Sequence, residues 1–462
     1  MANGQSLKQR MTLAAAAVGF VVVLLDVSVV NVALGAMRLQ FQTDVADLQW
    51  IVNAYTLVFA ALLLTSGALG DRLGARWIFA AGFLVFTLAS VACGLAGSFP
   101  LLLAARIVQG LGAALLVPNS LALLQQAFPD KRQRTHAVSL WGAAGGIALA
   151  AGPIAGGFLV DHFGWPSIFL INLPIGAVGL ALTLINFEPG SRNGARSLDL
   201  PGQALAILAL ASLALALSDV ARFGWGHPRV LTEFAAAIVL AVAFIVTEKI
   251  SRAPMLPLSL FAIPAFAIAS LSGLIVNFAY YGLVFVFSLF FQLQQHLSPE
   301  QTGIAFLPMT VVLMAANMVA GRLIHRVGAR SLMIAGLLIS ATGYGLLIPI
   351  DAGSAFRDLA IPMLIAAGGI ALLVPTMTNL TLSSVDASKG GIASGILNTF
   401  RQVGGMIGVA TSGYLVRDTA PAAFMAGMHT AIILSVALLL LTAAITAIGL
   451  GREDVVAGPA VD

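Results

Sequence analysis

Runs of about 20 mainly apolar residues, long enough to cross a bilayer as helices, recur along the whole chain, and the charged residues collect in the short segments between them. Fourteen such runs are predicted. Six centre near Val23, Leu57, Phe86, Ala113, Ile147 and Val178, two near Ala209 and Val239, and six near Phe285, Leu313, Leu338, Ala371, Gly405 and Leu438. The first run follows a short basic start and has no small-residue cleavage pattern, so it reads as a span rather than a removed signal.

Composition sharpens this picture. Only 9% of the 462 residues are charged, against roughly 25% in soluble domains, so most of the surface is expected to face lipid. The net charge of +4 comes from residues scattered through loops, which points to topology and not to nucleic acid. With the N-terminus inside, sixteen Lys and Arg (Lys8, Arg10, Arg72, Arg76, Lys131, Arg132, Arg134, Arg192, Arg196, Lys249, Arg252, Arg322, Arg326, Arg330, Lys389 and Arg452) fall on the cytoplasmic side. Five (Arg38, Arg222, Arg229, Arg357 and Arg417) fall outside. That bias sets both termini in the cytoplasm of a multi-pass inner-membrane protein.

Two echoes reveal a duplication. The segment Gly67–Arg76, GALGDRLGAR, returns 254 residues later as GRLIHRVGAR at Gly321–Arg330. Gly112–Pro118, GAALLVP, returns 257 residues later as GIALLVP at Gly369–Pro375. Two motifs in the same order at nearly one offset predict an all-α membrane fold of two six-helix bundles, residues 1–190 and 256–462, flanking a two-helix insert at 191–255. Parallel repeats are a construction of secondary transporters, with substrate held between the halves.

Candidate chemistry is sparse. Charges within spans are costly and are functional candidates by default. Asp26, Arg106 and Arg401 are those that stand out mid-span. Low dielectric favours the protonated form of a carboxyl, which makes Asp26 the candidate proton carrier; a permanently paired structural aspartate is the alternative. Arg106 either modulates Asp26 or braces helices. Arg401 reads more as a brace, because Gly404, Gly405 and Gly408 beside it imply tight packing. Asn31, Gln109, Trp141, Asn172, Asn277 and Asn398, with Arg401, are candidate cavity residues, Asn31 also reading as a structural cross-helix bond. Trp50, Trp77, Trp165 and Trp225 fit an interfacial belt.

Gly67, Asp71, Arg72, Gly74 and Arg76 form a loop motif expected to latch one conformational state. In the fifth span Gly152, Pro153, Gly156 and Gly157 make a smooth, bent face suited either to rocking or to static packing. The lone Cys93 excludes an intrachain disulfide and reads as a small buried hydrophobe. The six histidines lie at loops or span ends without metal spacing, and no phosphate-binding loop is present.

These segments together resemble the major facilitator superfamily, in particular its fourteen-span drug:proton antiporters. Leu25–Ala33 resembles the first-helix acidic motif and Gly67–Arg76 the loop motif. Leu102–Gly112 resembles the fourth-helix arginine motif, and Gly152–Gly157 the fifth-helix antiporter motif. The segments Lys131–Thr135 and Gly164–Pro174 look most like methylenomycin-type exporters within that group. The resemblance implies export of small hydrophobic compounds in exchange for protons by alternating access, with no cofactor beyond the proton gradient and a monomer in the bilayer. One departure is that the second half's spans carry no midplane carboxylate, which favours neutral or anionic substrates over dications. Another is His325 in the second loop copy where the first has Asp71. A metabolite importer or uniporter of the same fold is the rival reading. A receptor or membrane-embedded enzyme is a further one, for which neither a signalling domain nor a catalytic constellation is found.

Overall fold

A computed structural model describes residues 7–186, 199–251, 254–386 and 389–451. The expected linker around 189–198, with Arg192 and Arg196, lies outside the described residues, as do Arg252 and Arg452 and the side chains of Lys131, Arg322 and His325.

In hydrocarbon every backbone N–H and C=O must be satisfied within its own segment, and the helix does this. The described chain forms α1 (Leu7–Phe41), α2 (Val45–Leu73), α3 (Ala75–Gly94), α4 (Phe99–Ala127), α5 (Lys131–Phe163), α6 (Ser167–Leu170), α7 (Asn172–Asn186), α8 (Leu200–Phe223) and α9 (Pro228–Ile250). It continues with α10 (Pro264–Leu289), α11 (Pro299–Ala305), α12 (Leu307–Val327), α13 (Ala329–Gly345), α14 (Phe356–Ser383), α15 (Gly390–Leu415) and α16 (Pro421–Gly449). The helix ends follow local chemistry. Asp44, Asp130 and Asp199 cap α2, α5 and α8 by accepting from the backbone N–H of Asp47, Gln133 and Gly202. Gly74, Gly164, Gly224 and Gly328 close α2, α5, α8 and α12 at φ of 98°, 79°, 80° and 79°, a region where a β-carbon is strained.

Eleven segments are long and apolar enough to cross a membrane. These are α1 to α5, α8, α9, α10, α14, α16 and the span that α6 and α7 form together. Outside that set stand α12, α13, which has only 17 residues, and α15, whose stripe of Gly, Asn, Arg and Gln dilutes its apolarity.

The chain divides into two compact units. The first comprises Met1–Met255 and Phe291–Ile304, the second Leu256–Phe290 and Ala305–Asp462. Within the first, α1 packs on α4, α5 and α7, α3 on α4 and α7, and α2 on α4. Within the second, α10 packs on α14, α15 and α16, α13 on α14 and α16, and α12 on α14. The pairings match one for one, so the duplication extends to packing. It reaches single residues: Gly112 lies against the backbone of Phe86, and its echo Gly369 lies against the backbone of Ser340, 254 residues from Phe86.

The first unit's core gathers Tyr55, Phe79, Phe83, Phe86 and Leu116 between α2, α3 and α4. The insert pair α8–α9 packs on α2, where Gln203 donates to the Ala61 carbonyl at 2.7 Å and Arg222 pairs with Asp47. Its outer face carries Ile238, Val239, Val242 and Val246, all exposed, as a lipid-facing surface requires. Trp165 departs from the belt expectation. It is buried beside Phe41 and Phe169, with its indole N–H bonded to Gln40, because the turn between α5 and α6 folds it inward.

Candidate functional site

Asp26 sits at the middle of α1 and is fully buried, as is Arg106 on α4. The guanidinium Nη1 lies 2.6 Å from Asp26 Oδ2 and also donates to Gln109 Oε1 at 2.6 Å. Gln109 follows Arg106 by three positions, so one face of α4 presents both. Gln109 Nε2 donates in turn to Asp26 Oδ1 at 2.7 Å and to Ser90 Oγ on α3 at 2.8 Å.

The fourth contributor comes from the junction of α6 and α7. Ile171 keeps helical backbone angles there, φ −60° and ψ −24°, and Pro174, having no N–H, leaves the ladder one bond short at the Leu170 carbonyl. Asn172, fully buried at the start of α7, holds Nδ2 at 3.2 Å from Asp26 Oδ1 and 3.3 Å from Ser90 Oγ. Its Oδ1 is buried without a hydrogen-bond donor among the described residues. Asp26 thus accepts from Arg106, Gln109 and Asn172.

Arg106 has further partners besides the carboxylate. Nε donates to the Ile51 carbonyl at 2.9 Å, and the guanidinium lies over the rings of Tyr55 at 4.3 Å and Phe169 at 5.7 Å. A buried charge stripped of its partner is expensive. Here the cation keeps an amide oxygen, a backbone oxygen and two aromatic faces even when the carboxylate is neutral.

Gln109 and Asn172, read from sequence as cavity residues, therefore stand in the carboxylate's own hydrogen-bond shell. Ser90, Ile51, Tyr55 and Phe169 join it without having been anticipated. The sole available signal for Ser90 was that it and Thr87, three apart, are the polar residues of α3 beyond Arg76 in its first turn. Cys93, one turn beyond Ser90, is buried with Sγ 3.6 Å from Gln109 Oε1. Trp141 lies apart from the network, stacked on Phe20 at 3.8 Å and bonded to Ser120 Oγ. Asn31 donates to the Val27 carbonyl of its own helix.

The remaining candidates belong to the second unit. Asn277 donates to the Gly273 carbonyl on α10, and Asn398 to the Ser394 carbonyl on α15. Arg401 Nη1 reaches Asn398 Oδ1 at 3.4 Å.

The loop motif works within the first unit. Gly74 turns the chain between α2 and α3, Gly67 packs on Pro118, and Asp71 and Arg72 are exposed. Arg76 Nη2 donates to the Leu184 carbonyl near the end of α7 at 2.6 Å. The second unit repeats the device, with Gly328 at the turn and Arg330 Nη2 donating to the Ala447 carbonyl near the end of α16 at 2.7 Å.

On α5 the smooth face meets α1. A β-carbon at Gly152 would collide with Ser28, and one at Gly156 with Val29 and Val32. Gly157 lies against the Pro299 carbonyl, and one turn on Asp161 accepts from Ser298 Oγ at 2.6 Å and from the Glu300 N–H at 3.0 Å, holding the start of α11. Among the described residues no cluster of His, Cys, Asp and Glu could hold a metal ion.

Comparison with known proteins adds lineage to this geometry. The sequence profile of the Major Facilitator Superfamily matches residues 16–409. A methylenomycin A resistance protein of Streptomyces coelicolor is 39% identical over 405 residues, spanning 88% of this chain and 85% of that protein. The multidrug resistance protein Stp of Mycobacterium tuberculosis is 36% identical over 88% of this chain and 75% of its own length. Among solved structures, a bacterial homologue of the human lysosomal transporter Spinster, inward-facing and occupied, aligns with a TM-score of 0.69. It is 16% identical and the alignment covers 99% of this chain and 100% of that one.

Proposed function

We propose that this chain, which belongs to the Major Facilitator Superfamily, is a proton-coupled antiporter that exports small hydrophobic organic compounds across a bacterial inner membrane. Fourteen spans are assigned, the eleven above with α12, α13 and α15, and the loop charges set both termini inside. The export assignment is supported by relatives named as resistance proteins for methylenomycin A and for multiple drugs. Membership of a transporter superfamily, with no catalytic constellation in view, sets enzymatic activity aside.

The observation that carries the coupling is the shell of Asp26. As a carboxylate it is held by one cation and two amides, all buried. When a proton arrives the cation stays satisfied by Ile51, Gln109 and Tyr55, so neutralisation strands no charge. A protonated carboxyl needs an acceptor in place of a donor. Turning the Asn172 amide by half a revolution supplies one, since its Oδ1 has no donor to lose. Asp26 thereby alternates between two satisfied states. Alternating access then exchanges an inbound proton for an outbound substrate.

The test is proton movement in energised everted vesicles, followed with a ΔpH-reporting dye over a panel of antibiotics, dyes and organic acids. Wild type is expected to release protons on substrate addition and Asp26→Asn to release none. An undiminished response in Asp26→Asn would overturn the carrier assignment.

A further inference from the structure

The second unit holds a half-buried cation whose situation is the opposite of Arg106. Arg401 lies at the middle of α15. Its stem packs on α10, with Cγ close to Gly273 beside Leu397 and Met377. The glycines that follow on the same face, Gly404 and Gly408, press onto the backbone of Leu274 and Phe278, so the stem's position is fixed by tight packing. The head is another matter. Its polar contact among the described side chains is Asn398 Oδ1 at 3.4 Å, beyond the usual hydrogen-bond range, and Nε is buried without an acceptor.

Among the described residues of the second unit no carboxylate bonds to it. Among its long helices α10, α12, α13, α15 and α16 carry no Asp or Glu, and Asp358 stands in the first turn of α14. A brace needs a partner at each end, and this guanidinium has a weak one. A fixed cation set among Gly273, Leu397 and Met377 matches the needs of an anion with a hydrophobic body.

Building on the export reading above, we propose that Arg401 binds the carboxylate of the exported compound, so that the substrates are small hydrophobic monocarboxylic acids. The planar guanidinium fork offers two parallel donors to one carboxylate. The absence of acids from the middle of this unit's long helices then has a purpose: a resident carboxylate there would occupy the cation that the substrate requires.

The experiment is equilibrium binding to the purified full-length protein in lipid nanodiscs at neutral pH. Benzoate and cyclohexanecarboxylate are compared with their primary amides, which keep shape and lose charge. Wild type is expected to prefer each acid over its amide by about tenfold or more, the range of a charge-assisted bond. Arg401→Gln is expected to bring that ratio close to one, and Arg401→Lys to keep part of it, because Lys supplies the charge without the fork. A wild-type ratio near one, no acid binding at millimolar ligand, or an unchanged ratio in Arg401→Gln overturns the proposal. The wild-type ratio needs no variant to fold. Failure of the export reading looks different: a protein that binds acids selectively but moves neither protons nor acids in vesicles overturns that reading and leaves the site standing.

Discussion

The Asn172 amide donates to the Asp26 carboxylate at 3.2 Å from the first position of α7. Helical backbone at Ile171 carries the chain from α6 into α7 and presents this side chain to α1. On the proposed coupling, Asn172 is a positioning residue that serves both protonation states of Asp26. Asn172→Ala is therefore expected to slow substrate-driven proton release by about tenfold, the equivalent of one bond to a charged group. Asn172→Ser, whose hydroxyl both donates and accepts, should recover most of it. Equal loss in both variants would reduce Asn172 to a packing role.

The shell of Arg106 predicts an asymmetry between the two partners of the ion pair. Asp26→Asn leaves the guanidinium with Ile51, Gln109 and the Tyr55 ring. Arg106→Leu leaves the buried carboxylate with amide donors alone. Arg106→Leu should therefore cost about 3–5 kcal/mol of stability at neutral pH, and Asp26→Asn less than half as much. Reversible unfolding in mixed micelles measures both. Equal costs would show that the additional partners of Arg106 do not hold it.

Much of this was legible in the sequence, and the residues show why. Asp26 and Arg106 are charges in apolar runs, so their cost marks them without any structure. The repeated GxxxxRxGAR loop and the GxALLVP echo reveal the duplication that the matched helix packing displays. Partnership was harder to read, because periodicity says which residues share a face and not which faces meet. Gln109 and Asn172 were visible as polar, but their attachment to Asp26 depends on the α4 and α7 crossings. Ser90 and Tyr55 are ordinary residues within spans and carry no cost that would betray them. Trp165 stands at a span end, as belt tryptophans do, and only the inward turn before α6 removes it from the interface.

The α5–α1 contact separates two kinds of steric conflict. At Gly152 an added β-carbon meets the side chain of Ser28, whereas at Gly156 it meets the Cα of Val29 as well as side-chain atoms of Val29 and Val32. Gly152→Ala and Gly156→Ala should each destabilise by about 1–3 kcal/mol through overpacking. Adding Ser28→Gly should relieve the first, since the obstructing atoms are gone, and leave the second as it was. Thermal unfolding of the two single and two double variants reads this out. Relief of both, or of neither, would mean that the helices adjust as rigid bodies.

The two arginine clamps make the duplication a quantitative claim. Arg76 ties the start of α3 to the end of α7, and Arg330 ties the start of α13 to the end of α16, with bonds of 2.6 and 2.7 Å to backbone carbonyls. Each clamp is internal to its unit, and each is set up by a glycine two residues earlier whose positive φ turns the chain. Because the carbonyls belong to the last helical turns, a cation there also complements the helix dipole. Arg76→Ala and Arg330→Ala should each lower stability by about 1–2 kcal/mol, and the double variant should show their sum, since the two clamps share no partner. Chemical unfolding of the three variants measures it. A pronounced departure from additivity would mean that the units do not stabilise independently, and a large cost at one site with none at the other would mean that the repeated motif has kept its shape in both units but its mechanical role in one.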